Sequence, residues 1–132
     1  MLDTGLIQKI LAILSRFKQL KIAVLYGSFA KGTQKHTSDI DLGVAADNKL
    51  SVETLVEIQT ALSNETSKEI DLIDLKSATG VVFKEALTTG KIILNKDSSL
   101  FAGILSRMLF EQADFEPLRN RVLEANRKKV LG

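Results

Sequence analysis

Hydrophobic residues recur along the chain at two spacings, and the spacing changes several times between the two ends. Apolar residues that recur three and four positions apart predict helices with one apolar face. The first of these helices has Asp3 or Thr4 as its candidate cap, and the second has Ser51. The predicted helices cover residues 3–20, 51–62, 81–87, about 98–112 and about 117–130.

Between these helices lie four short apolar segments that predict strands. The segment 22–26 is continuously apolar and ends at Gly27, as expected of a buried strand that stops at a turn. Segments 39–44 and 69–75 alternate acidic and apolar residues, which is typical of strands with one wet face, and segment 92–94 completes the set. Tyr26, at the end of the first strand, is predicted to pack beneath the turn.

The order of the elements predicts an α/β fold of the α+β type. A small mixed sheet carries helices on one face and leaves the other face free for chemistry. We expect a single domain over residues 1–132, with a catalytic core over about 1–97 and a helical C-terminal segment over about 98–132. Apolar residues at helical spacing in that segment could dock a partner, but for Leu100 to Leu109 covering the sheet is the favoured explanation.

Composition narrows the chemistry. The 132 residues are 45% hydrophobic and contain no cysteine, which excludes disulfides, thiolate zinc sites and a cysteine nucleophile. The net charge of +2 gives no reason to expect direct binding of nucleic acid. No apolar run approaches the ~20 residues of a membrane span, so we expect a cytoplasmic protein without membrane attachment.

Two aspartates are the candidate metal ligands. Asp39 and Asp41 alternate along one strand and should therefore project from the same face, with Cα atoms roughly 6–7 Å apart. Carboxylate oxygens favour Mg²⁺, with Mn²⁺ as an alternative. Asp71 is the preferred third acid, because its neighbours are apolar. Glu69 would share its face, and Asp74 would lie on the opposite face.

A candidate anion site precedes these acids. Gly27 and Ser28 end a strand where free backbone amides can face a phosphate, and Lys31 follows one turn later. Taken alone, a Gly-Ser turn or an Asp-x-Asp pair is weak evidence for a catalytic site, because both occur in ordinary turns and solvated strands.

The combination of these motifs is more specific. Gly27-Ser28, ten intervening residues, Asp39-x-Asp41 and a later acid in an apolar strand resemble the minimal nucleotidyltransferases of the DNA polymerase beta superfamily, over nearly the whole length. The resemblance implies a polymerase-beta-like fold in which Asp39 and Asp41 bind two Mg²⁺ ions. It assigns Asp71 to the catalytic ion and to the attacking hydroxyl.

The same resemblance assigns the nucleotide-binding residues. Gly27 and Ser28 would cradle the triphosphate of the substrate ATP. Lys31 falls where many relatives place a basic residue on the β and γ phosphates, and Ser38 falls where a backbone amide meets the same groups. Because all the expected acids are present, the resemblance implies an active enzyme.

Within this superfamily, the chain is most similar to MntA-type antitoxins of HEPN–MNT toxin–antitoxin pairs. This likeness implies AMP transfer from ATP to a hydroxyl, expected to be that of a tyrosine, on a HEPN-family toxin, in a hetero-oligomer with that toxin. Two alternatives stay open. The protein could mask its partner sterically without catalysis, or it could be a nucleotidyltransferase that modifies RNA or a small molecule.

Overall fold

The computed structural model describes residues 4–27 and 39–112. In this part of the chain, helices and strands alternate in the predicted order, and the α+β class is confirmed. The elements are α1 (Thr4–Leu14), β1 (Ile22–Tyr26), β2 (Ile40–Ala45), α2 (Val52–Thr66), β3 (Ile70–Asp74), α3 (Gly80–Thr89), β4 (Lys91–Asn95) and α4 (Ser98–Gln112). The predicted cap Asp3 and the predicted helix over 117–130 lie outside the described residues.

The four strands form one mixed sheet in the order β3-β2-β1-β4. Strand β1 is antiparallel to both of its neighbours, and β2 is parallel to β3. The connection between the parallel strands contains α2, whose Gln59 side chain donates to the backbone carbonyl of Ile70 at 2.7 Å. This arrangement places the end of β1 beside the beginnings of β2 and β3.

Helices cover both faces of the sheet, so the prediction of helices on one face only is wrong. Alternate residues of β1 enter two separate cores: Ala23 and Leu25 pack with α1 and α2, whereas Ile22, Val24 and Tyr26 pack with α3 and α4. The apolar residues of the later helices cover this second face, and Ile104 and Met108 of α4 are buried there. The sheet therefore has no bare face among the described residues.

Helix α1 ends six residues earlier than the pattern predicted. After Leu14 the backbone closes two tighter turns, in which the amides of Arg16 and Phe17 donate to carbonyls three residues back. Phe17 continues the apolar spacing because it packs against the first core from this turn. The apolar pattern thus marks contact with the core, and the helix stops before the pattern does.

The predicted cap of α2 is confirmed. The Ser51 hydroxyl accepts from the amide of Thr54 at 3.1 Å, which satisfies one of the free amides of the first turn. The helix runs to Thr66, four residues beyond the last predicted apolar position, and Ser67 then takes a left-handed conformation with φ of 55°.

Arg107 ties α4 to the connection between β3 and α3. Its guanidinium donates to the carbonyl of Ala78 at 2.7 Å and to the carbonyl of Leu75, and it lies 4.1 Å from the ring centre of Phe83. The carboxylate of Glu111, one helical turn further along α4, lies 3.2 Å from the same guanidinium. These contacts hold α3 against the second core.

Among the described residues, no helix is both long enough and apolar enough to pass through a bilayer.

Candidate active site

Strand register brings two of the three predicted acids together. Asp41 of β2 is the register partner of Asp71 in the parallel pair and of Tyr26 in the antiparallel pair. Register partners project from the same face of a sheet, so the three side chains lie in one row. This row crosses the sheet on the face that carries α3.

The surroundings of Asp41 disfavour a negative charge. Burial raises the pKa of this carboxyl, and the charges of Asp71, Glu85 and Asp39 raise it further, in that order. A hydrogen bond with the Asp71 side chain acts in the same direction, because it favours the protonated form of Asp41. Three acidic side chains therefore act on the charge of Asp41 at this corner of the sheet.

Gly27 allows Asp41 to take its position. Its φ of +70° is in the left-handed region, which side chains disfavour. A Cβ atom at this residue would also overlap Oδ2 of Asp41. The sequence predicted that this glycine lets a phosphate approach the backbone. The structure adds a second reason for glycine here, because the carboxylate occupies the space of the missing side chain.

Asp39 stands just before β2 and is exposed, with its charge felt at Asp41. Within residues 4–27 and 39–112, no three acidic or histidine side chains converge closely enough to ligate a single ion. The structure thus brings Asp41 and Asp71 into contact and leaves Asp39 at the margin of the pair.

The two other acids considered on β3 have different surroundings. Asp74 lies on the opposite face, as alternation predicted, and is 5% exposed. Its carboxylate accepts from the amides of Leu50 at 2.8 Å and Lys76 at 2.9 Å, so it anchors two loops. Glu69 is exposed and precedes the strand. Neither acid shares the row of Asp41 and Asp71.

Glu85 is the residue that the sequence analysis missed. It lies in α3, where it is half-buried, and its charge raises the pKa of both Asp41 and Tyr26. A helix of ten residues with a single acid carries no motif, and its approach to β2 depends on how α3 packs against β1. Only the packing of this helix on the second face could reveal the contact.

Three predicted nucleotide-binding residues, Ser28, Lys31 and Ser38, lie outside the described residues. The described part of the predicted phosphate site is therefore Gly27, at the end of β1.

Comparison with known proteins assigns the family. The model of the polymerase beta nucleotidyltransferase family matches residues 8–99, which is more than half of the chain and contains the row of acids. The chain belongs to the polymerase beta nucleotidyltransferase family. The family predicted from the Gly-Ser and Asp-x-Asp motifs is therefore confirmed.

A curated relative points to a narrower group within these nucleotidyltransferases. The chain is 35% identical over 86 residues to the protein adenylyltransferase MntA of Shewanella oneidensis. The match covers 64% of this chain and 62% of the relative, so the aligned segment spans less than two thirds of the relative's length.

Solved structures agree over a longer stretch. A toxin–antitoxin structure with AMP-PNP superposes with a TM-score of 0.71 at 29% identity, covering 89% of this chain and 98% of the other. A chain from the complex of the tri-AMPylated HEPN toxin of Shewanella oneidensis with MNT antitoxin superposes with a TM-score of 0.67 at 27% identity. This superposition covers 91% of the present chain and 98% of the other. The nucleotidyltransferase fold predicted from the sequence is confirmed by these superpositions.

Proposed function

We propose that this chain is a protein adenylyltransferase that moves AMP from ATP to a tyrosine hydroxyl of a HEPN-family toxin, and thereby acts as the antitoxin. The observation that carries the proposal is the row of Tyr26, Asp41 and Asp71 beside Gly27, in a chain that is 35% identical to a protein adenylyltransferase. The similarity to toxin–antitoxin structures, one of them with an AMPylated toxin, supports the choice of acceptor.

The donor set fits divalent cations. Asp41 and Asp71 offer hard oxygen ligands, which suit Mg²⁺ or Mn²⁺ better than zinc. Burial raises the pKa of Asp41 and the charge of Asp71 raises it further, and a cation would relieve this repulsion between the two carboxylates. Asp39 would join the pair as the third ligand. Bound ions would neutralise the triphosphate and stabilise the attacking and leaving oxygens.

The remaining steps belong to residues of the chain. Gly27 and Ser28 would hold the triphosphate, with Lys31 and the backbone at Ser38 on its terminal phosphates. The acceptor oxygen would bond to the α phosphorus as the bond to the bridging oxygen breaks and pyrophosphate leaves. Asp71, exposed at the start of β3, would take the proton from the acceptor hydroxyl.

The direct test is transfer of a radioactive label. The purified chain is incubated with Mg²⁺, a candidate HEPN-family partner and ATP labelled at either the α or the γ phosphate. We expect label on the partner from α-labelled ATP only, since pyrophosphate carries the γ phosphate away. Mass spectrometry should then find each modified tyrosine heavier by AMP. Failure of transfer with all four nucleoside triphosphates would contradict the proposal.

Matched variants separate catalysis from masking. Asp41→Asn should lower transfer at least a hundredfold, because it removes a charged ligand. Asp47→Asn removes an exposed acid that pairs with Lys21 at 3.0 Å, and it should leave transfer unchanged. If Asp41→Asn still neutralises the toxin in cells, masking is the mechanism. Label found on RNA or on a small molecule would identify a different acceptor.

A further inference from the structure

The Tyr26 hydroxyl is a buried polar group without a partner. Tyr26 is 3% exposed and packs in the second core with Val24 and Phe83. Its hydroxyl makes no hydrogen bond in the structure as far as the described residues go. Buried hydroxyls are almost always hydrogen-bonded, and a phenylalanine would fill the same apolar space without this cost. The hydroxyl therefore needs an explanation beyond packing.

The acidic row provides the acceptors. Tyr26 and Asp41 are register partners, so their side chains project side by side from one face, with Asp71 next in the row. Burial raises the pKa of the Tyr26 hydroxyl, and the charges of Asp71, Asp41 and Glu85 raise it further. The hydroxyl thus remains protonated at neutral pH and can donate one hydrogen bond to a carboxylate.

Asp41 and Asp71 are register partners whose side chains contact each other. Cations bound by this pair would require both carboxylates to hold fixed orientations. Metal-binding carboxylates are commonly oriented by a hydrogen bond from a neighbouring donor. Tyr26 stands in the row from which such a donor would act.

We propose that Tyr26 is a positioning residue whose hydroxyl donates a hydrogen bond to the Asp41–Asp71 carboxylate pair when the site holds its cations. The inference rests on the proposed function, because it assumes that these carboxylates bind metal. Tyr26 does not touch the reacting atoms. It acts by holding a ligand in the orientation that the cation requires.

Tyr26→Phe tests the proposal, since the ring that fills the core is kept. We expect the metal-free variant to be at least as stable as the wild type, because an unpartnered hydroxyl is removed. The dissociation constant for Mn²⁺ alone, measured by water-proton relaxation, should rise about five- to tenfold. The increase in melting temperature caused by Mn²⁺ should fall correspondingly.

Thr66→Val is the matched control. The Thr66 hydroxyl donates to the Leu62 carbonyl at 2.7 Å, at the end of α2. Loss of this hydroxyl should lower stability and leave Mn²⁺ binding unchanged. An unchanged Mn²⁺ dissociation constant in Tyr26→Phe would overturn the role of Tyr26, provided that the wild type binds Mn²⁺. Failure of the wild type to bind Mn²⁺ would instead count against the proposed function.

Discussion

The Asp41 carboxylate occupies the space that a Cβ atom at residue 27 would need, and this favours glycine at that position. The backbone at Gly27 has a positive φ, and the Asp41 carboxylate fills the position of a Cβ atom. An added methyl group would therefore strain the backbone and displace a predicted metal ligand at once. The residue is constrained by its neighbour in the sheet as well as by the turn.

Gly27→Ala should reduce both stability and activity. The left-handed backbone should cost about 1–2 kcal/mol of unfolding free energy. Displacement of Asp41 should reduce AMP transfer more steeply than this loss of stability accounts for. Urea denaturation and transfer kinetics check the two effects.

Gly103→Ala is the control, because Gly103 lies within α4 with open space around its Cα. There alanine should stabilise the protein by about 0.5–1 kcal/mol. Equal transfer by Gly27→Ala and the wild type would contradict the overlap.

Asp41→Asn should stabilise the metal-free protein at neutral pH. The folded state raises the pKa of Asp41, so it binds this proton more tightly than the unfolded chain does. This contribution favours folding below the unfolded pKa and is lost as the pH rises through the folded one. Removing the charge should therefore gain about 0.5 kcal/mol at pH 7.5, and the gain should shrink towards pH 4.

Urea denaturation in chelator at both pH values measures this difference. Asp47→Asn is again the comparison, because Asp47 forms an exposed ion pair with Lys21. Its loss should change stability slightly and in the opposite direction. A metal-free Asp41→Asn protein less stable than the wild type at pH 7.5 would show that Asp41 contributes packing or hydrogen bonding that outweighs the repulsion.

At the scale of elements, helix α3 determines the outline of the site. It brings Glu85 towards β2. Arg107 of α4 contacts the Phe83 ring of this helix and donates to the carbonyl of Ala78 just before it. The guanidinium reaches two carbonyls of the 75–78 connection, which leads from the strand of Asp71 into α3. The packing of α4 is therefore coupled to the position of a helix that contributes charge to the candidate active site.

Arg107→Lys should weaken this connection. An ammonium group cannot reproduce the planar fork that spans two carbonyls and stacks on Phe83. We expect a loss of about 1–2 kcal/mol of unfolding free energy. The control is Arg16→Lys, because Arg16 forms an exposed pair with Glu65 at 3.7 Å and the substitution should change stability by less than about 0.5 kcal/mol. Equal stability of the two variants would contradict this role of Arg107.

At the scale of the whole molecule, folding brings the carboxyl groups of Asp41 and Asp71 together although like charges repel each other. Hydrophobic packing on both faces of the sheet holds Asp41 and Asp71 together although their charges oppose this. Cations bound at the proposed site would relieve this repulsion, so we expect metal binding and stability to be linked.

Mg²⁺ with a non-hydrolysable ATP analogue should therefore stabilise the protein. At ligand concentrations of about 100 times the dissociation constant, the gain is about 2.7 kcal/mol. For a domain of this size, this corresponds to an increase in melting temperature on the order of 8–10 °C. The increase should become smaller as the pH falls, because protons compete with the cation at Asp41. Scanning calorimetry at several pH values checks this, and Asp41→Asn should lose most of the increase. An increase that is independent of pH and unaffected by Asp41→Asn would place the ligand elsewhere.

The sequence by itself determined most of the described elements, whereas the roles of Asp39 and Asp41 stay predictions. Strand β1 is a continuous apolar run, and the bounds predicted for it and for α4 agree with the structure, because burial and helical spacing are written locally. Alternation also placed Asp71 and Asp74 on opposite faces. The end of α1 was less predictable, since Phe17 reaches the core from a turn.

Only the tertiary structure decided which face of the sheet α3 and α4 cover, and with it the electrostatic effect of Glu85 on Asp41 and Tyr26. A helix that packs on either face buries the same apolar residues, so its own pattern cannot distinguish them. Likewise, the row of Tyr26, Asp41 and Asp71 depends on pairing between strands that are distant in sequence. The charges of Asp41 and Asp71 act on each other and on Tyr26 through these pairings, which the pattern of a single strand does not specify.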